Sequence, residues 1–435
     1  MSRNAANVTV NVHHITRVEG HGNIRINIKD GRLEECKLEI VESPRFFEAM
    51  LKGRPYHEAH HISCRICGIC SVGHTCASLQ ASEAALEVTP TEQTTRLRKI
   101  CLHGETLQSH VLHAYYLAAP DFFGVGSVLP LAASHLPVVQ RALRLKKLAN
   151  DLCAVVAGRH VHPVSMAVGG FTNVPDLRRL KETQQRLIAA REDFRETVEL
   201  FKSVRDQIPA FDRPTEYISL TRDDEYAFLN GDILSSDAGR VPVSEYLKMT
   251  NEHIVPHSSA KHARVKRDSF MVGALARFNN NHAQLRPEAK QAAAELGLQA
   301  PCHNAYMITV AQVVECLHCL EDAIELIDEV LRRGVRREPI EVTPRAGRGI
   351  GATEVPRGAL YHDYTFNAQG LIEQANCIIP TGQNLANIEL DMRTLVPQVL
   401  DKSPEEITLL SEMLVRAYDP CISCSAHFLK VEFVE

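Results

Sequence analysis

A chain of 435 residues, 23% charged and 45% hydrophobic, has the balance of a folded globular protein, which excludes a disordered, collagenous or coiled-coil chain and allows one large domain or two to three smaller ones. A formal net charge of −5 without any long basic run argues against nucleic acid as a partner. No apolar stretch approaches the roughly 20 residues of a membrane-spanning helix, and the polar opening Met1-Ser2-Arg3-Asn4 does not form an export signal, so the chain is expected in the cytoplasm without a transmembrane segment.

The first predicted element is a β-hairpin. Ile24, Ile26 and Ile28 alternate with polar residues, Asp30-Gly31 supplies a turn, and Cys36, Leu38 and Ile40 alternate again. Residues 1–45 are accordingly expected to form an N-terminal β element. A long buried helix follows from Thr89-Pro90-Thr91-Glu92, with Thr89 as N-cap, carrying Leu97, Ile100, Gly104, Leu107, Val111 and Ala114 on one face. Further helices are expected over residues 137–158 and 177–204, and along Val313, Leu317, Leu320, Ile324, Ile327 and Leu331 to a stop at Gly334. Residues 211–260, rich in Asp, Pro, Gly and Ser, read as an insertion or surface subdomain, and 339–380 as loops with small strands such as Ala359-Leu360-Tyr361-His362. No repeat or low-complexity linker divides the chain. The expected fold is mainly α with small β elements (α+β), a single large catalytic domain over 1–435 with a helical body and an N-terminal β-hairpin.

Thirteen cysteines, several at short spacing, point to metal or redox chemistry rather than a disulfide framework. Cys67-Gly68-Ile69-Cys70 and Cys421-Ile422-Ser423-Cys424 lie at opposite ends of the chain. Each pair can present two thiolates to one metal from a single turn, and together they make a four-sulfur site. A structural zinc site is one reading, but zinc pairs usually staple small domains and this chain is large enough to fold without one. Cys64, Cys67 and Cys70 begin a ferredoxin-like run, but His74-Thr75 stands where the fourth Cys and its Pro are needed, so an iron-sulfur cluster fails. Cys316-Leu317-His318-Cys319 lies inside a strong helical pattern and is read as core.

The flanks narrow the choice. Arg65-Ile66-Cys67-Gly68-Ile69-Cys70 with His74, together with Asp419-Pro420-Cys421-Ile422-Ser423-Cys424-Ser425-Ala426-His427, resembles the two signatures of the nickel-iron hydrogenase large subunit. Thr16-Arg17-Val18-Glu19-Gly20-His21, Pro44-Arg45-Phe46-Phe47-Glu48, Val355-Pro356-Arg357-Gly358 and Ile379-Pro380-Thr381-Gly382-Gln383-Asn384 are similar to further family elements, so the resemblance runs along nearly the whole chain.

That resemblance implies an oxidoreductase running H2 ⇌ 2H⁺ + 2e⁻ by heterolytic cleavage at a Ni-Fe(CO)(CN)2 centre. Cys67 and Cys421 would be terminal on nickel, and Cys70 and Cys424 would bridge to iron. Glu19, as a semi-buried carboxylate, would relay the proton from a cysteine sulfur, its competing role being a salt bridge to Arg17 or another cation. Arg357, with Pro356 and Asp419 beside it, would sit over the site; Thr381 would donate to a cyanide and His74 to a cysteine sulfur or bridge. Glu48 and His427 would hold a second metal, Mg2+ or Fe2+. One departure is Ser109 before His110, where many respiratory relatives carry Asp, which favours a cytoplasmic type. Residues 428–435 are expected as a C-terminal extension removed by a maturation endopeptidase, with nickel chaperones acting before the cut. The chain has no further cysteine sets for clusters and no Gly-rich dinucleotide fingerprint. Electrons would therefore leave through an iron-sulfur small subunit toward further electron-transfer subunits, linked to flavin, NAD(P), ferredoxin or heterodisulfide. The competing readings are a complex I-type relative, which would lack the four cysteines, and a structural zinc-bearing subunit.

Overall fold

A computed structural model describes residues 8–426. Strands β1 (Val8–Val12), β2 (Gly22–Lys29) and β3 (Arg32–Ile40) form an antiparallel sheet in that order. The β2–β3 hairpin turns at Asp30 and Gly31, both with positive φ, the backbone required by the tightest hairpin turns. The Ile24, Ile26, Ile28, Cys36, Leu38 and Ile40 side chains are all buried, as the alternation requires. β1 pairs with β2, a partnership the short segment did not announce.

The body is helical. Helix α1 (Ser71–Leu86) is buried on nearly every side. Helix α2 (Glu92–Val111) starts two residues later than expected: Thr91, not Thr89, is the N-cap and accepts from the Thr94 amide at 3.1 Å. Beyond Val111 the helix widens into a π turn over Leu112–Ala118. Helices α3 (Leu136–Ala157) and α4 (Leu177–Ser203) match their expected spans to within a residue. Gly104 brings α2 and α3 together, since a Cβ there would stand 2.7 Å from Cys153 Sγ.

Strands β4 (Glu216–Thr221), β5 (Asp232–Ser235) and β6 (Gly239–Val241) lie within the stretch read as an insertion. β4 is buried along its whole length and shares a core with the C-terminal sheet, so this stretch is packed into the body. A two-stranded hairpin, β7 (Glu252–His253) with β8 (His262–Ala263), follows, and β9 (Phe270–Met271) completes a four-stranded sheet in the order β9-β4-β5-β6. Helix α5 (Ala274–Asn281) leads toward helix α6 (Ile308–Arg333), which packs on α2 and α4 and stops at Gly334 with positive φ, as expected.

The segment read as loops with small strands is a full antiparallel sheet, β10 (Gly347–Val355), β11 (Gly358–Phe366) and β12 (Ile372–Ile378). Gly347, Gly349 and Gly351 share one face of β10, where Cβ atoms would fall 2.4, 2.0 and 2.0 Å from the carbonyl oxygens of Ala85, Ala81 and Ala77. The bare strand therefore lies flush on α1. This contact aims the Pro356-Arg357 turn, which joins β10 to β11, at the N-terminus of α1. Helices α7 (Pro380–Gln398) and α8 (Pro404–Ala417) follow, α8 starting with a Ser403/Glu406 capping box, and a single helical turn over Ile422–Ser425 ends the described chain. Among the described residues, no helix is long and apolar enough to cross a membrane.

Candidate metal centre

The first cysteine pair sits where a loop enters α1. Cys67 is extended, Cys70 immediately precedes the helix, and the Cys70 amide donates to Cys67 Sγ at 3.1 Å. This loop is held by three polar clamps: Arg45 Nη2 donates to Ile66 O at 2.7 Å, Gln108 Nε2 to Ile69 O at 2.9 Å, and the Val72 and Gly73 amides donate to Glu105 at 2.6 and 3.0 Å. Arg45 stood in a recognised sequence element. Glu105 and Gln108 did not, because nothing in a helical pattern marks which polar residue will face a loop.

The second pair follows α8. Asp419 takes positive φ, reverses the chain after the helix and leads Pro420 and Cys421 back inward. The segment is fastened to the N-terminus: Glu19 N donates to Pro420 O at 3.4 Å, and Ile422 N to Glu19 O at 2.9 Å. Gly20 is required beside this bridge, since a Cβ would fall 2.7 Å from Ser423 N. Glu19 Oε2 lies 3.1 Å from Cys421 Sγ and accepts from the Ser423 amide at 3.1 Å. Glu19 is exposed rather than half-buried, so its backbone bridge, not burial, aims the carboxylate. Arg17 is not its partner, because that guanidinium donates to Leu117 O and Asp121.

Cys67 Sγ and Cys421 Sγ stand 3.7 Å apart across a sequence separation of 354 residues. Sulfurs of Cys67, Cys421 and Cys424 all lie within 4.8 Å of one another, and Cys421 and Cys424 are joined as a disulfide. Cys70 borders Cys67 but is outside this trio; Arg357 Nη1 donates to its sulfur at 3.5 Å. The Cys70 side chain, bonding to Cys67, draws the Cys67 thiol down to about 7 against burial and with help from Arg357. The same coupling, with burial, drives Cys70 upward.

Arg357 is buried. Its Nη2 donates to Asp419 Oδ1 at 2.8 Å and its Nε to Asp419 O, a fork that fixes the guanidinium plane beside the sulfurs. Burial opposes its charge, but Asp419 and the adjacent thiols raise its pKa and keep it protonated. Pro356 O accepts from Arg277 Nη2 at 3.0 Å. Thr381, at the start of α7, accepts from the Cys421 amide at 3.0 Å, and its hydroxyl proton remains to be donated. His74 enters a buried chain: its Nδ1 is 3.0 Å from His362 Nε2, His362 Nδ1 is 2.6 Å from the Tyr364 hydroxyl, and that hydroxyl donates to Ser78 at 3.1 Å.

Glu48 accepts from the Cys377 amide at 2.9 Å, and Arg45 N donates to Ala426 O at 3.1 Å, bringing the last described residue beside the Glu48 segment. His427 and the 428–435 tail lie outside the described residues. At the departure from the family pattern, Ser109 is buried and its neighbour His110 bonds Glu315 at 2.8 Å; Glu315 is also gripped by Arg277 and Tyr226. Buried soft sulfurs from both chain ends, beside a fixed cation and an oxygen base, are a donor set that fits a soft first-row metal.

The nickel-dependent hydrogenase family profile matches residues 45–136 and 241–427, and a HoxL-like profile matches 9–43. The alpha chain of sulfhydrogenase 1 from Pyrococcus furiosus is 34% identical over 97% of this chain and 98% of its own length. A chain of the F420-non-reducing hydrogenase from Methanothermobacter thermautotrophicus is 30% identical over 97% of this chain and 95% of its own. A solved NAD+-reducing [NiFe]-hydrogenase chain in the H2-reduced state superposes with a TM-score of 0.86 at 28% identity, covering 97% of this chain and 100% of that one.

Proposed function

Since this chain belongs to the nickel-dependent hydrogenase family, oxidoreductases acting on H2, we propose that it is a catalytic large subunit running H2 ⇌ 2H⁺ + 2e⁻ by heterolytic cleavage at a four-cysteine centre. The observation that carries this reading is the 3.7 Å approach of Cys67 and Cys421 sulfurs, with Glu19 against the latter. Cys67, Cys70, Cys421 and Cys424 would hold the group, which requires the Cys421–Cys424 disulfide to be reduced to two thiolates. When bound, a nickel-iron centre with CO and cyanide on iron supplies the two-electron chemistry that side chains lack.

The side chains supply the rest. Cys421 Sγ passes a proton to Glu19 Oε2 across 3.1 Å, and the exposure of Glu19 gives that proton a route outward. Asp419 locks the Arg357 fork, so Arg357 presents a fixed positive charge at the sulfurs without rearranging during turnover. Thr381 holds the Cys421 amide and keeps a proton for a diatomic ligand. His74, expected to donate to a cysteine sulfur or bridge, is held by His362 in this structure, and Pro356 sets the entry of Arg357. Glu48 and His427 would hold Mg2+ or Fe2+, a hard site separate from the sulfurs.

The relatives include chains of a sulfhydrogenase and of an NAD-reducing hydrogenase, which supports a multi-subunit enzyme whose acceptor is set by its partners. In this reading electrons leave through an iron-sulfur small subunit, the enzyme works in the cytoplasm, and residues 428–435 are removed after metal loading. Elemental analysis with infrared spectroscopy of the purified complex tests the proposal. Nickel with iron and bands from metal-bound CO and cyanide are expected; zinc alone, or no metal, rejects it.

A further inference from the structure

A second cluster of metal-ligating side chains lies along α7, built from residues outside the thiolate centre. His253 on β7 and His262 on β8 are directly paired in register, the loop between them supplies His257, and Glu389 faces them from α7, two turns beyond Thr381. One ligand atom from each of His257, His262 and Glu389 lies within 4.8 Å of the others. His257 Nε2 is 2.8 Å from Glu389 Oε2. Glu389 is oriented from behind, with Oε1 accepting from Arg393 at 2.9 Å and Oε2 from the Leu38 amide at 3.4 Å. His262 is 6% exposed, and its Nε2 has no hydrogen-bond partner. The Nδ1 of His253, whose ring stands edge-on to His262, has none either. A His–Glu hydrogen bond accounts for His257 alone; it leaves two sheltered imidazole nitrogens unsatisfied, which folded proteins rarely tolerate.

We propose that His257, His262 and Glu389 form a second metal site, taking a first-row divalent cation of the zinc class, with His253 beside its open side. Two imidazoles and a carboxylate are an established donor set for such ions. Arg393 reduces the negative charge at Glu389, whereas Lys261 is neutralised by Glu252. The site shares no residue with the four cysteines or with Glu48 and His427. Its bound ion would tie the β7–β8 loop, already fastened by Ser259 N to Ile40 O at 3.0 Å, to α7, the helix that carries Thr381 to Cys421.

The test is made on the purified holoenzyme complex. After removal of loosely held ions with a chelator, Zn2+ is titrated in and zinc, nickel and iron are counted per chain. Wild type is expected to bind one zinc beyond its nickel and iron, and Glu389→Gln, which keeps the side-chain size and one of the two acceptor oxygens that Leu38 and Arg393 use, to bind it about a hundredfold more weakly or worse. His257→Gln, in the connecting loop, should do the same and serves as the second variant if the α7 change disturbs folding. Nickel and iron counts should stay at wild-type values in both. No zinc uptake by wild type at about 1 mM free Zn2+, or uptake unaltered in the folded variants, overturns the site. Absence of nickel from wild type would instead strike the hydrogenase reading, and it leaves the zinc count free to decide this one.

Discussion

Cys67 and Cys70 have the same spacing as Cys316 and Cys319, and the fold treats them in opposite ways. The first pair stands at a loop-to-helix junction, where free amides, Arg357 and the returning C-terminal segment converge. The second lies mid-way along α6, whose amides are spent on the helix, among apolar neighbours. Burial, with Glu315 nearby, pushes the Cys316 and Cys319 thiols well up, whereas Cys67 is drawn down to about 7. Spacing alone therefore does not make a ligand pair. In the first pair the Cys70 bond, with help from Arg357, lowers one thiol while its partner Cys70 is driven up, whereas burial prevails at both thiols of the second pair.

The largest effect should come from removing a ligand of the loop site. Cys424→Ser is expected to abolish hydrogen turnover and metal retention, read by H2 oxidation and elemental analysis; a variant that keeps both would place Cys424 with Cys316 and Cys319 as core. Glu19→Gln should keep the metals and the infrared spectrum but slow proton exchange by about 10²–10⁴-fold, measured as isotope exchange between H2 and heavy water. Because Glu19 is exposed, the melting temperature of this variant should not move.

A pH titration sharpens the contrast further. In the metal-depleted chain with the Cys421–Cys424 disulfide intact, thiolate absorbance should rise as pH climbs through about 7, the value to which Cys67 is drawn, since the charged form is the one present above the pKa. Cys67→Ser should remove that step, and Cys316→Ser should leave it in place. The smallest effect is expected from Cys319→Ala, which should cost about 1–2 kcal/mol in denaturant unfolding with full nickel content. A loss of nickel there would break the comparison.

Local patterns carry much of the fold. The Asp30-Gly31 hairpin and helices α3, α4 and α6 follow from alternation, helical periodicity and stop signals, which act over a few residues. The α2 start lies at Thr91 rather than Thr89 because either Thr can accept a capping bond and only packing selects between them. The β10–β12 sheet is hard to see in sequence, since its glycines look like loop residues until α1 is laid across them. In the site, the cysteines and their motif neighbours are legible as residue types, whereas the exposure of Glu19 and the clamp from Glu105 are not.

By itself, the sequence determined which residues could serve chemistry: two distant thiol pairs, a carboxylate next to Gly20 and an arginine in a Gly-rich loop. Tertiary structure decided which of them meet. It did so through contacts between segments hundreds of residues apart, such as the bare face of β10 on α1 and the Glu19 backbone on Cys421, whose energies depend on the assembled surfaces and leave no periodic trace along the chain.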